Sequence, residues 1–175
     1  RSVRRTMPTE SWAAVAAALP QNARWERELP FWRSLVARFG WRRVADAGCG
    51  AGFHASLLRS LGIEVAGFDL SVSALLGGPR GATVAGDLSA PPLRPRSFEG
   101  VLCLGNTISL VASRGAQRDA LAALARLVRP GGHLLVQGED AGALVAAAPV
   151  VRTRSLGDGR SHVRIFERRG RRVRM

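Results

Sequence analysis

Residues 44–58, VADAGCGAGFHASLL, bring together residue types that can hold a ligand through the backbone. A short apolar run contains Asp46, glycines follow at 48, 50 and 52, and the pattern then turns helical. Glycine allows a sharp turn and a close approach of the main chain to a ligand. The start of a helix presents unpaired N–H groups. Asp69 lies 17 residues beyond Gly52, at the end of the next apolar run. A carboxylate there can accept hydrogen bonds from both hydroxyls of a ribose. Asp87 closes a third apolar run. This is the chemistry of a nucleotide-binding turn.

Each residue also has a plainer reading. A glycine loop alone fits a tight turn that binds nothing. Read from Gly50, GAGFHA matches the dinucleotide form GxGxxA. That form starts directly after its strand, whereas here Asp46, Ala47 and Gly48 come first. Asp69 could cap the next helix, a task that Ser71 serves equally well, and Asp87 could be a turn aspartate. Cys49 reads as small loop packing, since nothing near it in sequence lowers a thiol pKa, and Cys103 reads as strand core. His54 opens the helix after the loop and reads as a packing histidine ahead of a ligand-facing one; His133 and His162 belong to no motif. No CxxC or Cys/His pair has metal-ligand spacing, so no metal is expected.

The elements that must position these residues alternate. Residues 42–48 read as a first strand, 51–62 as a helix closed by Gly62, and 63–70 as a second strand. A stunted helix at 71–78 leads to a third strand at 82–88. A fourth strand is expected at 97–105, a helix at 117–132 stopped by Pro130-Gly131-Gly132, and a fifth strand at 133–140. The strands are apolar throughout, as in a sheet covered on both faces. The alternation predicts an α/β fold with a Rossmann-like, doubly wound, mostly parallel sheet. Ahead of it, residues 8–20, 22–29 and 30–40 read as helices, with Pro30 in the first turn of the last. Behind it, residues 151–175 read as an antiparallel β meander that turns at Asp158-Gly159. One domain is expected, with a helical cap (1–40), a ligand-binding core (41–140) and a linker plus Arg-rich strands (141–175).

The chain has 175 residues, of which 46% are hydrophobic, enough for one domain with a real core. No apolar run reaches the ~18 residues of a membrane span, so no membrane partner is expected. The N-terminal RSVRRTMPTE lacks the apolar core of a secretory signal. Two cysteines make no disulfide framework, and a reducing, cytoplasmic setting is expected. The net charge is +13, yet all 26 basic residues are arginine, which suggests biased codon usage more than a selected basic surface. Residues 151–175 hold nine Arg against Asp158 and Glu167, a net of +7. Such a run reads first as a solvated strand surface and second as a place for phosphates or an acidic partner.

DAGCGAG (46–52), GFDLS (67–71), AGDL (85–88), FEGVLCLGN (98–106) and VRPGGHLLV (128–136) occur in that order. Together they closely resemble the class I S-adenosylmethionine-dependent methyltransferase family, over about residues 40–140. LGNTISL (104–110) resembles the small-molecule branch related to glycine N-methyltransferase. The resemblance implies S-adenosyl-L-methionine as cofactor. It implies that Asp69 holds the ribose, Leu70 packs on the adenine, Asp87 accepts from the adenine amino group, and the Leu88 N–H meets a ring nitrogen. It implies that Asp46 orders the loop of Gly48, Cys49 and Gly50 and the cofactor's amino group. It implies that the backbone of Gly48 and Leu104 faces the methionine part. Asn106 is expected to complete the cofactor set and, with Thr107, to border the acceptor.

Methyl transfer from a sulfonium releases a neutral thioether, so no acid is needed, and a base only if the acceptor must lose a proton. No catalytic residue is therefore singled out. The expected function is methyl transfer by in-line displacement to a small-molecule acceptor, with the positive charge favouring an anionic one. Two departures stand out. Only ten residues (71–80) precede GATVAGDL, where the family carries a longer helix, and the family's last helix and final strand pair are missing or replaced. An unfinished sheet edge favours a homodimer. The other readings are a nucleic-acid-directed methyltransferase, which the Arg-rich tail supports and LGNTISL does not, and a truncated, non-catalytic scaffold or dimerisation module.

Overall fold

The computed structural model describes residues 21–78, 81–138, 150–155, 161–169 and 172–174. Helix α1 (Gln21–Phe39) runs unbroken through Pro30, where the sequence predicts two helices. An interior proline removes a backbone hydrogen bond and costs about 3 kcal/mol. Packing offsets that cost here: Trp32 is buried, and Trp25, Leu29, Leu35, Val36 and Phe39 lie on the same core cluster.

The chain then alternates as β1 (Arg43–Ala47), α2 (Phe53–Ser60), β2 (Glu64–Asp69), α3 (Val72–Leu76), β3 (Thr83–Ala85) and β4 (Phe98–Cys103). A 3-10 turn (Thr107–Leu110), α4 (Arg114–Leu127) and β5 (Val128–Val136) follow. The strands form one parallel sheet in the order β3-β2-β1-β4-β5. This is the doubly wound arrangement the alternation predicts, and its order reverses between β1 and β4.

Successive strand residues point to opposite faces, and the core divides accordingly. Ala45, Ala47, Phe68, Val101 and Cys103 pack with Ala120, Leu124 and Leu127 of α4. Val44, Val65 and Leu102 pack with Trp32 of α1 and Leu57 and Leu58 of α2. Cys103 is thus strand core, as its position in the sequence suggests.

Helix α4 differs from expectation at both ends. Ser113 Oγ accepts from the Ala116 N–H at 3.2 Å, which starts the helix before Gln117. It ends at Leu127, because Val128 is already extended and pairs with Phe98. Pairing shifts register and resumes at Gly100 and His133. The Pro-Gly-Gly segment is therefore an irregularity within β5, not a helix stop. Strands β6 (Val150–Ser155), β7 (Ser161–Arg169) and β8 (Arg172–Arg174) pair antiparallel in that order. The expected helix at 8–20, the stretch 141–149 and the turn at Asp158-Gly159 lie outside the described residues. Among those described, no helix is long and apolar enough to cross a membrane.

Candidate functional site

The loops after β1, β2 and β4 gather at the carboxyl edge of the sheet, where the strand order reverses. Open α/β sheets bind ligands in this position. Gly48, Gly50 and Gly52 have φ of +71°, +53° and +77°, a conformation glycine adopts without strain. The loop folds down on the end of β2. The N–H groups of Gly48 and Cys49 both donate to Phe68 O, at 2.8 and 3.1 Å. Gly50 N–H donates to Asp69 Oδ2 at 2.8 Å, and Gly52 N–H to Cys49 O at 2.9 Å. Phosphate-binding loops turn such N–H groups outward onto the anion. Here three bond to the end of β2 and the fourth bonds within the loop, which weighs against a dinucleotide reading. Above Gly50 the space is open: a Cβ built there meets nothing within 4 Å.

Asp69 ties this loop to the next. Its Oδ2 accepts from Gly50 and its Oδ1 from the Ser71 N–H at 2.8 Å. Each carboxylate oxygen has a second lone-pair direction left for an outside donor. The cap of α3 is Ser71, whose Oγ accepts from Ala74 N–H at 3.2 Å, so Asp69 is not spent on that task. Leu70 projects beyond the strand and is 64% exposed, a large apolar side chain beside the carboxylate.

Asp46 lies beneath the loop on β1, 2% exposed, and its Oδ2 has no hydrogen-bond partner. Burial first, and then the Asp69 charge, push its carboxyl up to about 7, against the pull of the Ala55 N–H and the Arg59 charge. A buried acceptor without a donor calls for a partner, and a cationic or N–H-bearing group would supply one.

Asp87 is exposed after β3. Its Oδ1 accepts from both the N–H and the hydroxyl of Ser89, at 2.7 and 2.6 Å, and these bonds hold the carboxyl below its ordinary value. Oδ2 takes no part in that turn. Leu88 is half-buried with its side chain against the core. The Cys49 thiol is half-buried and pushed up to about 12, by burial first and then by the charges of Asp46 and Asp69, which disfavours the thiolate. It packs against β2, where a Cβ on Gly67 would stand 2.9 Å from Sγ.

After β4, Gly105 and Asn106 both have positive φ, +66° and +69°. They turn the chain back so that the Thr107 hydroxyl donates to Leu104 O at 2.7 Å. Thr107 Cγ2 then covers Gly48, where a Cβ would overlap it. Sequence reading places Thr107 near the acceptor but gives no sign of this contact, which joins residues far apart in the chain.

His54 points away from the loop into the α1–α2 interface. Arg24 Nη2 lies 3.0 Å from His54 Nε2, Arg24 Nε donates to Glu28 Oε1 at 2.8 Å, and Trp32 Nε1 to Glu28 Oε2 at 3.3 Å. Burial first, and then the Arg24 charge, push His54 down to about 4. It is a packing histidine, and Trp32 beside it is core, 3% exposed. Among the described residues no group of His, Cys, Asp or Glu could hold a metal ion.

Comparison with known proteins agrees with this geometry. The model of the methyltransferase domain family matches residues 45–136. A demethylmenaquinone methyltransferase of Renibacterium salmoninarum is 30% identical over 124 residues, 68% of this chain and 49% of that protein. A glycine/sarcosine N-methyltransferase of Aphanothece halophytica is 30% identical over 124 residues, 66% of this chain and 47% of that protein. The solved structure of a sugar N-methyltransferase from a Streptoalloteichus species superposes with a TM-score of 0.64 at 26% identity, covering 83% of this chain and 62% of that one. The chain spans about half the length of the curated relatives it matches. From the motifs, the sheet and these matches together, the chain belongs to the methyltransferase domain family.

Proposed function

We propose that the protein transfers a methyl group from S-adenosyl-L-methionine to a small-molecule acceptor. The observation that carries this reading is the Asp69 carboxylate, which bridges the glycine loop and the end of β2 and keeps capacity for two hydroxyl donors. The residues present fit that cofactor. Asp69 would hold the ribose hydroxyls, Leu70 the face of the adenine, and Asp87 Oδ2 its amino group, with the Leu88 N–H beside it. The open space above Gly50 would admit the ligand, and the unpartnered Asp46 Oδ2 suits its ammonium group. Gly48, Cys49 and Leu104 would shape the methionine end, with Asn106 and Thr107 between cofactor and acceptor.

When bound, the cofactor supplies an electrophilic methyl carbon on a sulfonium. The task left to the chain is to hold the nucleophile in line and keep water out. No side chain need donate a proton. Small-molecule acceptors accord with the relatives, which are named for quinone, glycine and sugar substrates; the chain's positive charge favours an anionic one. The outer edge of β5, unpaired among the described residues, suits a homodimer. The test is transfer of radiolabelled methyl from the cofactor to a panel of amino sugars, glycine and quinols. Label in one class identifies the acceptor, whereas cofactor binding with no transfer to any would leave a non-catalytic module.

A further inference from the structure

The edge of the sheet opposite this site carries exposed guanidinium groups. Arg42 and Arg43 stand at the start of β1, Arg94 and Arg96 precede β4, Arg126 lies in the last turn of α4, and Arg129 opens β5. Backbone bonds and ion pairs tie Arg96 to the end of α4 and Arg42, Arg43 and Arg129 to Glu99 of β4. Arg96 N–H donates to Arg126 O at 2.9 Å and Ser97 N–H to Leu127 O at 3.0 Å. Glu99 accepts from the N–H groups of Arg42 and Arg43 and pairs with Arg129 at 2.9 Å, while Glu64 pairs with Arg43 at 3.1 Å. Both carboxylates are thus engaged. Arg42, Arg94, Arg96 and Arg126 have no ion-pair partner among the described residues. Between Arg96 and Arg126 lies a hollow of about 380 Å³ lined by Pro95, Ala125 and Val128.

Two ordinary explanations fall short. Biased codon usage accounts for arginine in place of lysine along the chain, but not for four arginines at one edge of the sheet without ion-pair partners among the described residues. Complementing a helix dipole accounts for Arg126, in the last turn of α4, but not for Arg42, Arg94 or Arg96.

We propose that this edge docks the phosphate backbone of a nucleic-acid duplex, as a surface separate from the methyl-transfer site. The guanidinium fork matches phosphate oxygens two at a time. The hollow accepts a pentose ring against its apolar lining, with the neighbouring phosphates reaching Arg96 and Arg126. Trp41 and Phe98 are 2% exposed, and Phe39, stacked on Trp41 with ring centroids 5.6 Å apart, is half-buried. Among the described residues no ring at this edge is exposed in the way that the stacking platforms of single-strand binders are, which favours a duplex. Contacts to phosphates alone carry no sequence information, so the binding is independent of base sequence. The inference holds whether or not the chain transfers methyl groups.

The test is fluorescence anisotropy of a labelled 20-base-pair DNA duplex of arbitrary sequence, titrated with the full chain. Four phosphate contacts predict a slope of about −3.6 in log affinity against log salt, or about 150-fold weakening from 50 to 200 mM. The variant Arg42→Gln/Arg94→Gln/Arg96→Gln/Arg126→Gln should bind at least tenfold more weakly, with a shallower slope and an unchanged circular-dichroism spectrum. In the wild type, the duplex should protect the same four arginines from phenylglyoxal. Absence of binding at 50 mM, an unaltered slope in the variant, no protection of these arginines, or preference for a poly-glutamate peptide would each overturn the proposal, the last in favour of an acidic protein.

Discussion

Gly48 and Thr107 pack against each other across the reversal point of the sheet, with the threonine methyl lying where a Gly48 side chain would begin. Gly50, two residues on, has the same left-handed backbone but open space above it. The two alanine substitutions should therefore differ. Gly50→Ala should destabilise by about 1–2 kcal/mol, the penalty of a left-handed alanine. Gly48→Ala should add overpacking against Thr107, for a total of about 2–4 kcal/mol. Cofactor affinity should suffer in Gly50→Ala out of proportion to stability, because its methyl enters the proposed binding space. Urea melts and cofactor titrations on both variants check this; equal stability losses would contradict the packing account.

Asp46 gives stability an unusual dependence on pH. Its folded value, about 7, lies above its ordinary 3.8. Between those values the folded chain holds a proton that the unfolded chain has released. Its contribution is thus fully present below about pH 3.8 and is lost as pH rises through about 7. Relative to wild type, Asp46→Asn should gain stability between about pH 5 and pH 8. Urea midpoints at the two pH values read this directly, and parallel behaviour of the two proteins would rule it out.

His54 acts in the opposite sense. Its folded value, about 4, lies below its ordinary 6.5. Its contribution is present above about pH 6.5 and is lost as pH falls through about 4. Arg24, Glu28 and Trp32 face it from α1, so protonation sets a second cation beside Arg24. His54→Gln should flatten this acid limb of the stability profile without changing cofactor affinity at neutral pH. A loss of affinity larger than threefold would instead bring His54 into the site.

The Cys49 thiol, held at about 12, should be alkylated by iodoacetamide at least about a hundredfold more slowly than a free thiol at neutral pH. Cys49→Ala should keep cofactor affinity within about threefold. Peptide mass spectrometry of the labelled protein decides the first point. Rapid labelling would mean that the loop opens far more often than its four hydrogen bonds imply.

What the sequence made legible was local. Glycines that need positive φ, Asp69 at a strand end and the alternation of apolar runs are each written in a few consecutive residues, and the structure assembles them as read. The misreadings arose where contacts between distant residues overrule local signals. Pro30 signals a helix start, but the packing of Trp32 and Leu35 carries α1 through it. Pro130-Gly131-Gly132 signals a helix stop, but Val128 has already paired with Phe98. Thr107 against Gly48, the inward turn of the loop N–H groups, and the arginine edge all join segments that no motif connects.

The most direct test of the account is calorimetric titration of the wild type and Asp69→Ala with S-adenosyl-L-methionine and S-adenosylhomocysteine. Removing Asp69 takes away the acceptor of two loop N–H groups and the proposed ribose ligand together. The account predicts micromolar binding by the wild type and a tenfold or greater loss in the variant, at least about 1.4 kcal/mol. No binding by a folded wild-type chain, or equal binding by both, would contradict it.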